Sequence, residues 1–183
     1  MSRPIRKDAA NNRAALLKAA RELLSEQGLD VPLDLIAERA GVGRGTLYRH
    51  FADRTELALA VLIDGIDDLD ARTRARGEAP EVFFWFVEEL ADLVMRNAGW
   101  SDVLRNVRSP DALTPLRQRL TEAGAGPLAR AQAAGLVRKD LGPMDLRLIA
   151  TLLGSGFQGA DEVERRAVSA RTRLIVLNGL KAR

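Results

Sequence analysis

Apolar residues recur at intervals of three and four along almost the whole chain, and this spacing constrains the fold more than any other feature. An early stripe on one helical face consists of Leu16, Leu17, Ala20, Leu23 and Leu24. No segment alternates apolar and polar residues as a half-buried strand does. The sequence therefore predicts an all-α protein with about nine or ten helices.

Capping and turn residues predict where the helices begin and end. Asp53 is expected to cap a long helix that reaches about residue 76, because Glu56 stands three positions later, as in a capping box. A break is predicted at residues 124–127, where glycine and proline stand close together. The expected helices cover about residues 13–27, 32–40, 44–50, 54–76, 82–94, 101–108, 113–123, 127–134, 145–157 and 162–180.

The composition excludes several kinds of chemistry. The 183 residues include no cysteine, so the chain has no disulfide, no thiolate metal ligand and no cysteine nucleophile. His50 is the single histidine, and no nucleophile and acid can be proposed to act with it. We therefore expect no catalytic residues, no metal site and no cofactor.

The net positive charge is confined to the first third of the chain. Residues 1–54 contain ten basic and seven acidic residues, whereas residues 55–183 contain eighteen of each. Localised basic charge is typical of phosphate binding. A solvated face of an arginine-rich protein would give the same excess, so the charge alone does not choose between them.

No export signal or membrane span is recognised. The basic start of the chain is not followed by an apolar core of the required length. The longest apolar run covers residues 82–87, and about 20 residues are needed to cross a bilayer. We expect a cytoplasmic protein without a membrane partner.

Residues 32–51, PLDLIAERAGVGRGTLYRHF, predict two short helices joined by a tight turn. Ala37 is small enough to let the second helix cross closely, and Gly41 can adopt the positive φ that the turn needs. Val42 and Leu47 are expected to fill the corner between the helices. This layout is that of a helix-turn-helix, whose second helix enters the DNA major groove.

The second of these helices carries side chains that suit DNA. Arg44 lies at its N-terminal end, which points at base edges, and arginine pairs bidentately with guanine. Thr46 can bond a base or contact a thymine methyl group. Tyr48, Arg49 and His50 are expected on the remaining exposed face. A short polar helix after a turn is also common in helical proteins that bind no DNA.

The segment from Arg13 to Leu57 resembles the DNA-binding domain of TetR-type transcriptional regulators. The resemblance spans three helices and enters a fourth. Its matching residues are Ala19, Ala20, Gly28, Ile36, Ala37, Ala40, Gly41, Val42, Gly45, Thr46, Leu47, Tyr48, His50, Phe51, Glu56 and Leu57. It implies a DNA-binding domain over residues 1–54 and a helical ligand-binding and dimerisation domain over residues 55–183.

The same resemblance assigns roles to individual residues. It implies that Tyr48 and Arg54 contact phosphates, that Arg44, Thr46 and Arg49 lie nearest the bases, and that His50 lies at the backbone edge. Gly43 replaces a serine that commonly caps the second helix of the motif, so one capping bond is expected to be missing. The implied protein is a homodimer on a palindromic operator, usually a repressor.

The last two predicted helices are the candidates for dimerisation. On the final helix, apolar residues recur at intervals of four and three, which is typical of a coiled-coil seam. An ordinary core within the chain would require similar stripes. The residues predicted at the dimer interface are Leu146, Ile149, Leu153, Ala167, Ala170, Leu174 and Leu177.

The resemblance also implies a small-molecule effector, and the apolar residues between 83 and 107 suggest where it binds. Pockets are lined mainly by apolar and aromatic side chains, although an aromatic stripe is more often simply core. The predicted pocket residues are Phe86, Leu90, Val94, Trp100, Val107 and Phe157. Nothing in the sequence marks the effector's identity.

Two other functions are compatible with parts of the sequence. Residues 154–159, GSGFQG, match a dinucleotide-binding glycine pattern, which requires a preceding strand and a following helix. The residues before it have a helical pattern, which disfavours a nucleotide-binding protein or enzyme. The other alternative is a DNA-binding adaptor that has no ligand.

Overall fold

The computed structural model describes residues 3–27, 31–97, 107, 110–155 and 161–182. Within these ranges the secondary structure consists of helices without a strand, which confirms the all-α class. The helices are α1 (Arg3–Gln27), α2 (Leu33–Arg39), α3 (Arg44–His50), α4 (Arg54–Ala75), α5 (Val82–Arg96), α6 (Thr114–Ala133), α7 (Asp145–Leu153) and α8 (Glu162–Leu180), with a 3₁₀-helix at Pro110–Leu113. The helix expected at residues 101–108 lies outside the described residues apart from position 107.

Helix α1 begins ten residues earlier than the apolar stripe indicated. It starts at Arg3 and not near Arg13. Pro4 falls in the first turn, where a missing N–H removes no bond of the helix. The stripe predicted only the part of the helix that packs on a core, because the residues before it carry no apolar periodicity.

The first core joins α1, α2, α3 and the N-terminal half of α4. Gly41, at the turn between α2 and α3, has a φ of 68°, as the predicted tight turn required. Ala37 and Leu47 are almost fully buried on the facing sides of the two short helices. The helix-turn-helix is therefore held by one continuous apolar core.

Helix α4 runs from the first core into the second. The N–H of Glu56 donates to Asp53 Oδ1 at 2.8 Å, and the N–H of Ala52 donates to Glu56 Oε2 at 2.7 Å. The predicted N-terminal cap is confirmed. The helix supplies Leu57 and Val61 to the first core and Leu69 to the second. The division into domains at residue 54 stays a prediction.

Helix α6 shows that the predicted break at residues 124–127 is wrong. The helix is continuous, with Pro127 inside it. Gly124 has a packing role: a Cβ there would lie 2.6 Å from Leu146 Cδ1 and 3.0 Å from Phe86 Cε1. Glycine at this position allows α6 to cross α5 and α7 closely, and it does not end the helix as the sequence suggested.

Helix α7 presents two apolar faces, and the prediction selected the inner one for dimerisation. Leu146, Ile149 and Leu153 are buried in the second core of this chain, at 5% exposure or less. The prediction that they form the dimer interface stays a prediction, and in the single chain these three side chains are covered by its own core. The outer face carries the exposed residues Leu148 and Leu152, and Met144 is exposed just before the helix.

Candidate nucleic-acid interface and cavity

Helix α3 turns its apolar side inward and its polar side to solvent. Leu47, together with Phe51 just beyond the helix, is 1% exposed in the first core. The residues predicted to contact DNA therefore share the outer side, where Arg44, Tyr48 and Arg49 are exposed and Thr46 and His50 are half-buried. Gly43 precedes the helix without a side-chain cap, as expected.

Arg44 forms an ion pair with the preceding helix of the motif. Its Nη2 lies 3.1 Å from Oδ2 of Asp34, in the first turn of α2. The side chain of Arg44 is 74% exposed and that of Asp34 is 41% exposed. Asp34 was not among the predicted site residues, because an acidic residue in a first helical turn has an ordinary explanation in the helix dipole.

Arg49 bends back along its own helix. Its Nε donates to the carbonyl of Gly45 at 3.1 Å, and its Nη2 donates to Thr46 Oγ1 at 3.0 Å. Two residues predicted to lie nearest the bases are thus hydrogen-bonded to each other. Both contacts are exposed, so either side chain can exchange its partner for DNA at small cost.

The residues assigned to phosphate contacts differ in how they are held. Tyr48 is 51% exposed, so its hydroxyl can reach solvent or DNA. Arg54 donates from Nη2 to the carbonyl of Val31 at 2.6 Å, a partly buried contact that joins the start of α4 to the segment before α2. Arg54 therefore supports the local fold besides being placed beside the helix-turn-helix.

A cavity of about 550 Å³ opens in the second core. It lies between α4, α5, α6 and α7, and none of the lining residues that the structure describes is charged. The lining consists of Leu62, Ile66, Leu90, Leu93, Val94, Val107, Leu113, Leu116, Leu120, Ala150, Thr151, Gly154 and Ser155. Three predicted pocket residues, Leu90, Val94 and Val107, are among them.

Of the other three predicted pocket residues, the structure describes one, and it does not line this cavity. Phe86 is fully buried among core residues and packs beside Gly124 rather than at the cavity wall. Trp100 and Phe157 lie outside the described residues. Thr151 and Ser155, which the sequence analysis missed, are the hydroxyl-bearing residues of the lining. Polar residues of this kind leave no trace in the apolar periodicity from which the pocket was predicted.

A second, polar cavity of about 400 Å³ lies where α1 meets α4 and α5. Leu93 lines both cavities, so one side chain separates them. Gly65 of α4 faces it, and a Cβ at that position would lie 2.7 Å from Leu93 Cδ1. Next to Gly65, Asp64 pairs with Arg21 of α1 at 2.6 Å. A path of contacts therefore runs from the apolar cavity to α1, which packs in the same core as α2 and α3.

At the polar cavity, the charged side chain of Arg72 is already bound to acidic residues of this chain. Arg72 Nη1 donates to Glu89 Oε2 at 2.6 Å, and Arg72 Nε donates to Asp68 Oδ2 at 3.0 Å. The hydrogen bond to Glu89 is the largest cause that raises the pKa of Arg72 above its ordinary value. The guanidinium also lies 5.7 Å from the Trp85 ring centroid.

Matches to known families decide what kind of protein this is. Residues 16–61 match the family described as bacterial regulatory proteins, tetR family. Residues 78–182, more than half of the chain, match the family described as the C-terminal domain of SbtR-like transcriptional regulators. The chain belongs to the TetR family. It is a DNA-binding transcriptional regulator and not an enzyme.

Solved structures of TetR-family proteins are similar over nearly the whole chain. A TetR transcription regulatory protein from Mycobacterium vanbaalenii is 32% identical, with a TM-score of 0.66 over 98% of this chain and 100% of that chain. SCO0520 from Streptomyces coelicolor is 30% identical, with a TM-score of 0.65 over 93% of this chain and 98% of its own. RolR, solved in complex with the ligand resorcinol, shares the fold at 20% identity and a TM-score of 0.65, over 97% of this chain and 91% of its own.

A curated relative matches the chain over a limited stretch. The HTH-type transcriptional regulator SAUSA300_2515 of Staphylococcus aureus is 39% identical over 64 residues. These residues are 34% of this chain and 35% of that protein, so the match spans about a third of the relatives' length.

The described residues bear on nucleotide binding, metal binding and membrane spans. The nucleotide-binding alternative needed a strand before residue 154, and α7 stands there instead. No described cluster of acidic residues and histidine is arranged to hold a metal ion. None of the helices in the described ranges is long and apolar enough to cross a membrane.

Proposed function

We propose that this TetR-family protein is a homodimeric repressor that leaves a palindromic operator when a small apolar effector binds. The observation that carries the proposal is the uncharged cavity of about 550 Å³ beside α4, the helix that continues from the helix-turn-helix. A cavity of this size falls within the range of small-molecule sites. Its presence favours an effector-binding regulator over an adaptor without a ligand.

The DNA side of the proposal assigns base contacts to Arg44 and Thr46, with Arg49 beside them, and phosphate contacts to Tyr48 and Arg54. His50 lies at the edge of the same face. Support comes from the exposure of Arg44 at the N-terminal end of α3, the end that meets base edges in helix-turn-helix complexes.

The effector is a neutral, largely apolar molecule. A charged ligand would lose hydration without gaining a partner, since no lining residue that the structure describes is charged. Thr151 and Ser155 donate their hydroxyl protons to backbone carbonyls, so their oxygens remain as acceptors at the wall. RolR, a protein of the same fold, was solved with resorcinol, which is small and uncharged.

The dimer surface combines the outer faces of α7 and α8. Leu148 and Leu152 are exposed on α7, Met144 is exposed just before it, and Leu174 is exposed on α8. Ala167 and Ala170 lie on the same stripe of α8 and allow close approach, while Leu177 continues it half-buried. An isologous contact through these faces gives the two-fold symmetry that a palindromic operator requires.

Selection of bound duplexes from a random library tests the DNA side. We expect a palindrome whose half-sites are centred about 34–36 Å apart. Arg44→Ala should relax the preference at one base per half-site, at a cost of about 1–3 kcal/mol. Tyr48→Ala should weaken all duplexes about equally. Recovery of no preferred duplex at low and moderate salt would refute the operator.

A matched pair of fluorescent probes tests the effector side. N-phenyl-1-naphthylamine is neutral, and 8-anilino-1-naphthalenesulfonate has the same ring system with a sulfonate. We expect the neutral probe to bind and to weaken operator binding, and Ala150→Phe, which fills the cavity from its wall, to abolish both effects. Binding of the sulfonate as tightly as the neutral probe, or indifference to Ala150→Phe, would contradict an uncharged site here.

A further inference from the structure

The contact between Asp34 and Arg44 bears on how the protein distinguishes its operator from other DNA. It joins α2 to the first residue of α3 through Arg44 Nη2 and Asp34 Oδ2, 3.1 Å apart. Both side chains are substantially exposed, and ion pairs in such positions add little to stability. Stabilisation of the fold is therefore a weak explanation for a carboxylate beside Arg44, whose cation faces DNA.

The guanidinium group can serve Asp34 and a base at the same time. It is planar and has five N–H donors in a fixed fork, of which the contact with Asp34 uses those on one terminal nitrogen. Guanine accepts two hydrogen bonds at O6 and N7, which another edge of the group can supply. A side chain already held in position also loses less conformational freedom when it binds.

The carboxylate has the opposite effect on a phosphate. Asp34 repels a phosphate oxygen that approaches the same guanidinium, whereas a guanine edge has no net charge. Contacts with phosphates supply most of the sequence-independent affinity for DNA. A negative charge at this position therefore weakens non-specific binding more than binding to the correct base, which is how an unfavourable element creates specificity.

Arg49 provides an internal contrast. Its contacts are with a carbonyl and a hydroxyl group, both of which are neutral. Nothing in those contacts discourages Arg49 from turning to a phosphate. Of the two exposed arginines on α3, only Arg44 is paired with an acidic residue in the described structure.

We propose that Asp34 is a positioning residue that directs Arg44 toward guanine and suppresses its use on phosphates. The proposal rests on the base-reading role of Arg44 in the proposed function. It adds a residue that contacts no base itself and determines specificity through its neighbour.

The test compares wild type, Asp34→Asn, Asp34→Glu and Arg44→Ala on three duplexes. These are the selected operator, its variant at the base pair whose preference Arg44→Ala relaxes, and an unrelated duplex. Asp34→Asn should bind the unrelated duplex about two- to fivefold more tightly, and should lose a similar factor of discrimination at that base pair. Asp34→Glu, which keeps the charge, should restore part of the discrimination.

Two controls separate this effect from general electrostatics and from folding. Glu38→Gln removes another exposed acid of α2, and in the described structure the ion pair of Arg44 is with Asp34 and not with Glu38. It should leave the discrimination ratio unchanged. The double variant Asp34→Asn/Arg44→Ala should discriminate no worse than Arg44→Ala alone. Thermal unfolding of each variant shows whether loss of the acid from the first turn of α2 alters stability.

The outcomes distinguish failure of this inference from failure of the proposed function. If Arg44→Ala relaxes one base pair and Asp34→Asn does not, the role of Asp34 is refuted and that of Arg44 stands. An equal effect of Glu38→Gln would also refute the role of Asp34, because any negative charge on α2 would then change discrimination, whether or not it contacts Arg44. If Arg44→Ala changes no preference at any position, the base-reading assignment fails and the role of Asp34 fails with it.

Discussion

Arg54 illustrates how one side chain can serve both the fold and the interface. Its hydrogen bond to the carbonyl of Val31 is 2.6 Å long and partly buried, and Val31 is 2% exposed. Loss of a charged donor would leave that carbonyl without its partner, so we expect Arg54→Ala to lower the free energy of unfolding by about 1–3 kcal/mol. Urea denaturation measures this, with Tyr48→Phe as a variant on the same surface that should not change stability. An unchanged unfolding midpoint would show that Arg54 acts on DNA alone.

At the same scale, sequence reasoning identified the outward residues of α3 but not their partners. The periodicity of a short helix fixes which side chains share a face, and Leu47 and Phe51 were placed inward correctly. The ion pair of Arg44 with Asp34 and the bond of Arg49 to Thr46 depend on rotamers and on the crossing of α2 and α3. No sequence spacing encodes that crossing, so these contacts could not be anticipated.

Two glycines of α6 make a matched test at the level of a helix. Gly124→Ala would bring a methyl group to 2.6 Å from Leu146 Cδ1 and 3.0 Å from the Phe86 ring, both fully buried. We expect this overpacking to destabilise the protein by about 1–3 kcal/mol. Gly126 is exposed and has only the end of Arg130 near it, so Gly126→Ala should change stability by less than about 1 kcal/mol, since the gain from alanine in a helix is offset by its Cβ beside Pro127. Urea denaturation of both variants decides the matter, and equal shifts would contradict a packing role for Gly124.

Helix boundaries were predictable where local capping alone determined them, and not where local turn preference and packing favoured different structures. Asp53 and Glu56 act locally, and the start of α4 was predicted correctly. At residues 124–127 the local preference for a turn was overridden by packing, because a close approach to α5 and α7 needs a glycine without any turn. On α7, apolar residues occupy both faces, so periodicity could not show which face belongs to the core of the chain and which is left exposed.

The whole molecule is expected to function as a dimer, and neighbouring residues of α8 test which surface pairs. Leu174 lies on the apolar stripe and Ile175 is about 100° around the helix from it, yet both are more than half exposed. Leu174→Arg should place a charge in the interface and give monomers that bind the operator weakly. Ile175→Arg should stay dimeric. Sedimentation at micromolar concentration separates the two results, and a dimeric Leu174→Arg protein would refute this interface.

Communication between effector and DNA requires contacts that span both cores, and the described structure contains one such path. Leu93 closes the apolar cavity on one side and packs against Gly65 of α4, whose neighbour Asp64 pairs with Arg21 of α1. An occupant that displaces Leu93 would move α4 at this point. The salt bridge would carry that movement to α1 and so to the spacing of the two recognition helices.

Breaking the bridge should therefore reduce coupling while leaving both binding reactions in place. For Arg21→Ala and Asp64→Asn we expect N-phenyl-1-naphthylamine and the operator each to bind nearly as in wild type. The coupling free energy between two allosteric sites is typically about 1–3 kcal/mol. The probe should therefore weaken operator binding less in these variants than in wild type. Lys18→Ala, which removes a pair lying within α1 alone, is the matched control. Operator titrations with and without probe measure the ratio, and full coupling in both bridge variants would show that the signal travels through the packed side chains of α4 without the bridge.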